Sequence, residues 1–303
     1  MLHEAHDFFS SGSFSRAEEV LERALGIDFE HSEVLVSLKC SQFWEDRSVR
    51  LEGYEDPYDR AEFLLKEWKI FDAFLKTSGC PVQEGLFSIK QWVFGTALDN
   101  YLKLLENPDT DDTELLFKIG RCCKGSGDYI RAQQYLEKAG KKRKKEPAIL
   151  AELADCYALM NEIKASKVFF REAFFIDPQQ VEIAFLESVM IMRLIERIRS
   201  NGIDGTDLLE WVPVYGTIYG VFNIKRELKP LEYGKLKQAI YSTESEIAAV
   251  EKEEGKRLLP GLINKYFWLI DHYVMSGESR ETIQDVLKKI QKLDMNVYEH
   301  YIH

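Results

Sequence analysis

Proline is scarce in this chain, with 8 in 303 residues, and nowhere does a run of alternating apolar and polar residues end in a hairpin turn. Half-buried strands need that two-residue alternation, so its lack argues against a sheet and predicts many short-linked helices. Long apolar runs are missing too. The longest uncharged stretch, Trp211 to Ile224, is interrupted by Pro213, Gly216 and Gly220, and it falls short of the ~20 residues that a bilayer demands. No membrane span is expected. The opening MLHEAHDFFSSGSFSRAEE places His, Glu and Asp where a secretion signal has a basic start and an unbroken apolar core, so export by that route is not expected either.

A basic excess is also absent: 40 Lys and Arg against 51 Asp and Glu give a formal charge of -11. Nucleic acid, whose phosphates reward a basic surface, is therefore not the expected partner. The exception is local. Lys141, Lys142, Arg143, Lys144 and Lys145 form one basic run just before Pro147, read here as a solvated linker between two helices. Cysteines are few and odd in number, and Cys40, Cys80, Cys122, Cys123 and Cys156 contain no CxxC pair. Neither a disulfide framework nor a zinc knuckle follows, and a reducing, cytoplasmic setting is expected.

Catalytic signatures are wanting as well. His3 and His6, and His300 and His303, are each spaced three apart, as two imidazoles on one helix face would be, but neither pair belongs to an HExxH pattern. His31 reads as a capping or surface residue. His272 stands beside Asp271 in YFWLIDHYV, where adjacent residues point different ways around a helix and make a poor dyad. With no Gly-rich phosphate loop and no GxSxG elbow, no catalytic residue, metal or cofactor is assigned, and the chain is not expected to be an enzyme.

What is present is apolar material, 45% hydrophobic and 12% aromatic, enough for one long core or about two compact ones. It is also periodic. Leu116, Ile119, Gly120, Cys122, Cys123, Gly127, Tyr129, Ala132, Leu136 and Ala139 meet Leu150, Leu153, Ala154, Cys156, Tyr157, Asn161, Ile163, Ser166, Phe170 and Ala173 after a constant shift of 34. The pattern describes a pair of antiparallel helices. Leu116 and Ile119 share a face, Gly120 leaves a hollow for the second helix, and Gly127 supplies the turn. Asp177-Pro178 closes the next unit, since proline disfavours helix for its predecessor. The cysteines of the repeat occupy core positions, so packing explains them better than redox chemistry.

This pattern resembles the tetratricopeptide repeat. Residues 147 to 180 carry it through Leu150, Leu153, Ala154, Tyr157, Ala173 and Pro178, whereas residues 113 to 146 have Lys144 where the proline stands. Residues 1 to 31 resemble a third copy through Ala5, Phe8, Gly12, Phe14, Ala17, Leu21, Ala24 and Leu25. A degenerate fourth has Leu269, Tyr273, Gly277, Ile283, Leu287 and Leu293. The expected organisation is a helical-pair stack over 1–200, an irregular helical segment over 201–260, and a degenerate pair and tail over 261–303. Residues 32 to 46 and 57 to 77 read as a helical pair around a loop SVRLEGYEDP, residues 82 to 106 as a further helix, and residues 181 to 199 as a continuation of the stack.

The resemblance implies an all-α, right-handed α-α superhelix with a concave groove that binds protein or peptide partners. Its lining, one turn off the core positions, would include Phe117, Arg121 and Lys124, then Asp155, and Phe185, Val189 and Met192 on the following helix. The lysine-and-asparagine clamp that some of these proteins use for a chaperone's terminal carboxylate is not reproduced, because the matching sites hold Arg121, Asp155 and Val189. Trp211, Tyr215, Tyr219 and Phe222 fall at spacings of four, four and three, so one helix face could be wholly aromatic, either buried in the core or offered as a docking surface. An interaction scaffold or adaptor is the expected function; the alternative is a regulatory subunit or an unrecognised enzyme with its site in residues 205–260. The partner and the oligomeric state are not encoded legibly.

Overall fold

The computed structural model describes residues 1–78, 83–105 and 112–302, and these are all-α, with no strand among them. They divide into two compact units, Met1–Lys144 and Lys145–His303. The division falls inside the basic run, whose five residues are all exposed. Cys80 and His303 lie outside the described residues.

The first unit contains α1 (Leu2–Ser10), α2 (Phe14–Leu25), α3 (Ser32–Glu52), α4 (Pro57–Ser78), α5 (Gln83–Leu104), α6 (Thr113–Gly125) and α7 (Tyr129–Lys142). Helix α5 packs against both α1 and α6, and the aromatic core of Phe9, Phe14, Trp44, Phe71 and Trp92 forms where α1 to α5 meet. The loop expected at SVRLEGYEDP is shorter than the sequence suggested, because α3 runs on to Glu52. Nothing breaks the helix before Gly53. Arg50 pairs with Asp46 one turn back at 3.3 Å, and Arg47 reaches Glu67 of α4 at 2.7 Å, so the extra turn is held along its own face and across the pair.

The second unit contains α8 (Pro147–Leu159), α9 (Ile163–Ile176), α10 (Val189–Ser200), α11 (Gly205–Ile218), α12 (Pro230–Ala249), α13 (Lys252–Ser276), α14 (Arg280–Leu293) and α15 (Met295–Ile302). The four helix limits 113, 125, 129 and 142 recur at 147, 159, 163 and 176, the shift already seen in the side chains.

One turn recurs in all four places where the sequence put a copy. The amide donates back across the turn from Ser13 to the Phe8 carbonyl, Asp128 to Cys123, Glu162 to Tyr157 and Glu278 to Tyr273, at 2.7–2.9 Å. The residue before each donor has positive φ: Gly12, Gly127, Asn161 and Gly277, at 73°, 85°, 65° and 74°. This is the Schellman closure of a helix, which needs a left-handed residue, and glycine or asparagine adopts that conformation at least cost.

Residues 181 to 188 do not continue the stack as α-helix. A single 3-10 turn, Pro178–Gln180, precedes this stretch and another, Ile183–Phe185, lies within it. The cause is Asp155. Its carboxylate is fully buried and accepts from the amides of Glu187 at 2.9 Å and Ser188 at 2.8 Å, which fixes an extended entry into α10.

The segment between α11 and α12 is non-helical yet tied down. Gly220, with φ of 70°, reverses the chain, and Phe222 folds back onto Gly216, where a Cβ would lie 2.3 Å from its ring. Arg171 of α9 donates to the Ile224 carbonyl and to Asp271 of α13, and His272 accepts from the Leu228 amide at 3.2 Å. Arg226 grips Glu232 through two bonds of 2.9 and 3.2 Å. The hydrogen bond from Arg226, joined by one from the Lys229 amide, lowers the Glu232 carboxyl from 4.5 to about 2. A carboxylate depressed in the folded state stabilises fully above its unfolded value and loses that contribution as pH falls through the folded one. Wild type should therefore melt above Glu232→Gln at neutral pH, and the gap should close between pH 4.5 and about 2. A gap that stays constant through that window would count against the pair.

Candidate partner-binding surface

Five of the eight residues expected to meet a partner are buried: Phe117, Arg121, Lys124, Asp155 and Phe185, none more than 6% exposed. Phe117 lies under the Arg121 guanidinium, 4.6 Å from its ring centroid, and Asp155 spends both oxygens on the entry to α10. A charge reversal at Arg121 therefore reports on stability before it reports on a partner. The remaining three reach the surface. Val189, the first residue of α10, is 62% exposed, and Trp211 and Tyr215 are half-buried on α11.

Helix α10 buries Ile191, Leu194, Ile195 and Ile198 and leaves Val189, Arg193 and Arg197 outside, at i, i+4 and i+8. That spacing makes one exposed stripe. Helix α11 packs against α10 and presents its own stripe, in which Trp211 and Tyr215 lie 5.6 Å apart and Tyr215 and Tyr219 stack at 5.5 Å. The aromatic face holds for these three. Phe222 leaves it, because α11 ends at Ile218 and the Gly220 turn carries that ring into the core beside Phe170 and Phe174. Trp211 touches the apolar clusters on both sides of α11, so it is a core residue on one edge and a surface residue on the other.

Between α10, α11 and α15 is a cleft of about 610 Å³. Arg197 lies over the Tyr219 ring, with Cζ 3.8 Å from the centroid, and the Asn201 amide approaches the Tyr219 hydroxyl at 3.5 Å. On the facing helix the His300 Nδ1 is 2.7 Å from the Asn296 carbonyl. A carbonyl only accepts, so that nitrogen donates and Nε2 is left for other partners. Burial, with Tyr219 and Asp294 nearby, raises the Tyr215 hydroxyl above its ordinary value and keeps it a neutral donor. Sequence reasoning had noticed Tyr219 and His300 for other reasons and missed Arg197, Asn201 and Asn296. The signal for Arg197 was present, as the third member of the stripe begun by Val189.

The thiols carry no evident chemistry. Cys40, Cys122, Cys123 and Cys156 are buried, and burial pushes Cys40 up to about 12 and Cys123 up to about 11, far from the thiolate that reactivity requires. Among the described residues no three His, Cys, Asp or Glu side chains converge as a metal site, and no helix is long and apolar enough to cross a membrane.

Residues 125–186, about a fifth of the chain, match the profile of the tetratricopeptide repeat. That span holds α7, α8, α9 and two of the turns described above. Residues 125–186 thus carry a tetratricopeptide repeat. Domains built from this repeat generally mediate protein–protein interaction. No curated protein matches the chain, so nothing narrower about its partner comes from relatives. Of the residues singled out from the sequence, those that reach the surface, Val189, Trp211 and Tyr215, lie outside the matched span.

Proposed function

We propose that the chain is a cytoplasmic scaffold or adaptor that holds a protein or peptide partner and catalyses no reaction. The match of residues 125–186 to the repeat carries this reading. The surface best suited to the task is the one formed by α10, α11 and α15, where an exposed Val189, a ladder of three aromatic rings and a polar cleft adjoin. Half-buried aromatic side chains of this kind supply most of the energy at interfaces. The groove lined by residues one turn off the repeat's core would act, in this proposal, as the frame and not as the contact.

Val189→Glu is the cleanest probe. An acidic residue in the first turn of a helix is favourable, and the site is exposed, so stability should change by no more than about 0.5 kcal/mol. Partner capture in affinity purification should fall. Equal capture of the same proteins by wild type and variant would remove α10 from the interface. Trp211→Ala is the companion measurement: loss of capture with an unchanged melting curve supports docking, and a lowered transition assigns the ring to the core.

A further inference from the structure

We infer that the cleft between α10, α11 and α15 receives a phosphorylated side chain of a peptide partner, an inference that rests on the protein-binding reading above. The chain carries a formal charge of -11, yet none of the residues lining this cleft is acidic. Arg197, Asn201, Tyr215, Tyr219 and Asn296 surround it instead, each able to donate a hydrogen bond. The Asp294 carboxylate, which accepts from the Val297 amide at 3.0 Å at the start of α15, lies nearby but does not line the cleft. Glu196 and Glu299 are exposed neighbours in sequence but do not line the cleft. Arg193, one turn before Arg197 on the same exposed stripe, extends the positive approach.

Donor number and volume decide the class of ligand. A carboxylate has two oxygens, whereas five donor side chains, one of them a cation, match the three oxygens and charge near -2 of a phosphate monoester. The cleft, at about 610 Å³, is within the roughly 300–1,000 Å³ of pockets that hold whole small ligands. A bare oxyanion would leave most of it empty. A phosphate on a serine or threonine side chain brings a peptide backbone with it, and Trp211 and Val189 lie on the adjoining helices to meet the flanking residues.

The test passes the full chain over three immobilised degenerate peptide libraries that differ in one fixed residue: phosphoserine, serine or glutamate. Retention on phosphoserine should exceed the other two at least about tenfold, the scale of a hydrogen bond to a charged group, and free inorganic phosphate should compete. Arg197→Gln should abolish the preference, and Asn201→Ala should weaken it; both side chains are exposed, and circular dichroism checks their folding. Equal retention on glutamate, or a phosphoserine preference untouched by both substitutions, overturns the assignment. The two readings separate cleanly. Partner capture that depends on Val189 without any phosphoserine preference sinks this inference alone, while a full chain that captures nothing takes the binding function with it.

Discussion

Asp271→Ala should lower the stability of the second unit by about 3–5 kcal/mol, because it leaves the Arg171 guanidinium buried without its counter-charge. Both side chains are about 5% exposed. Arg171 reaches across from α9, donates to Asp271 and to the Ile224 carbonyl, and lies 4.4 Å from the centroid of the Trp268 ring. One cation thus ties together the matched repeat, the non-helical segment after α11 and the long helix α13. Lys225, 3.8 Å from Asp271, is half-exposed and cannot replace the arginine. A loss of this size should bring the thermal transition down by roughly 10 °C. Removing both charges, as Arg171→Met with Asp271→Leu, should cost much less than the single change, since apolar pairs of similar volume often replace buried ion pairs without loss. A single variant that melts within about 1 kcal/mol of wild type, or a double variant worse than either single one, would show that the pair is not what holds this junction.

The turns of this molecule were legible in its sequence because their physics is local. A left-handed residue closes each of the four helix pairs, and Gly12, Gly127, Asn161 and Gly277 are residues that tolerate it. The shift of 34 was equally local, since the same large and small side chains set the same helix limits twice. The binding residues were a different matter. Reading Arg121, Lys124 and Asp155 as surface contacts assumed that charge one turn off a core position faces water. Asp155 shows why that fails: the amides it satisfies belong to Glu187 and Ser188, more than thirty residues on, and no helical period predicts them. The cleft was hidden for the same reason. Arg197, Tyr215 and His300 are brought together by three helices, and only their packing makes them neighbours. The early end of α11 was readable in Gly220, but the destination of Phe222 was not, because the hollow it fills is made by Gly216 and the rings of α9.

Gly120→Val should destabilise the α6–α7 pair by about 2–3 kcal/mol. A Cβ at this position would lie 2.7 Å from Leu136 Cγ, 2.9 Å from its Cδ2 and 3.2 Å from its backbone nitrogen. The leucine side chain can turn away, but the backbone of α7 cannot retreat without separating the two helices. Alanine is the instructive comparison. It gains about 1 kcal/mol of helix propensity over glycine and adds one carbon to the same crowded place, so its two effects oppose. In the second helix pair the same register holds Ala154 opposite Phe170, both fully buried, which shows that the site admits one methyl when the facing helix is set for it. Valine adds two branches and has no such outlet. If the hollow is what lets the helices close, Leu136→Ala should be less costly in the Gly120→Val background than in wild type, because the cavity it opens takes the added methyls. A double-mutant cycle in urea measures this coupling. Strict additivity of the two changes would mean that Gly120 is tolerated at the interface and not required by it.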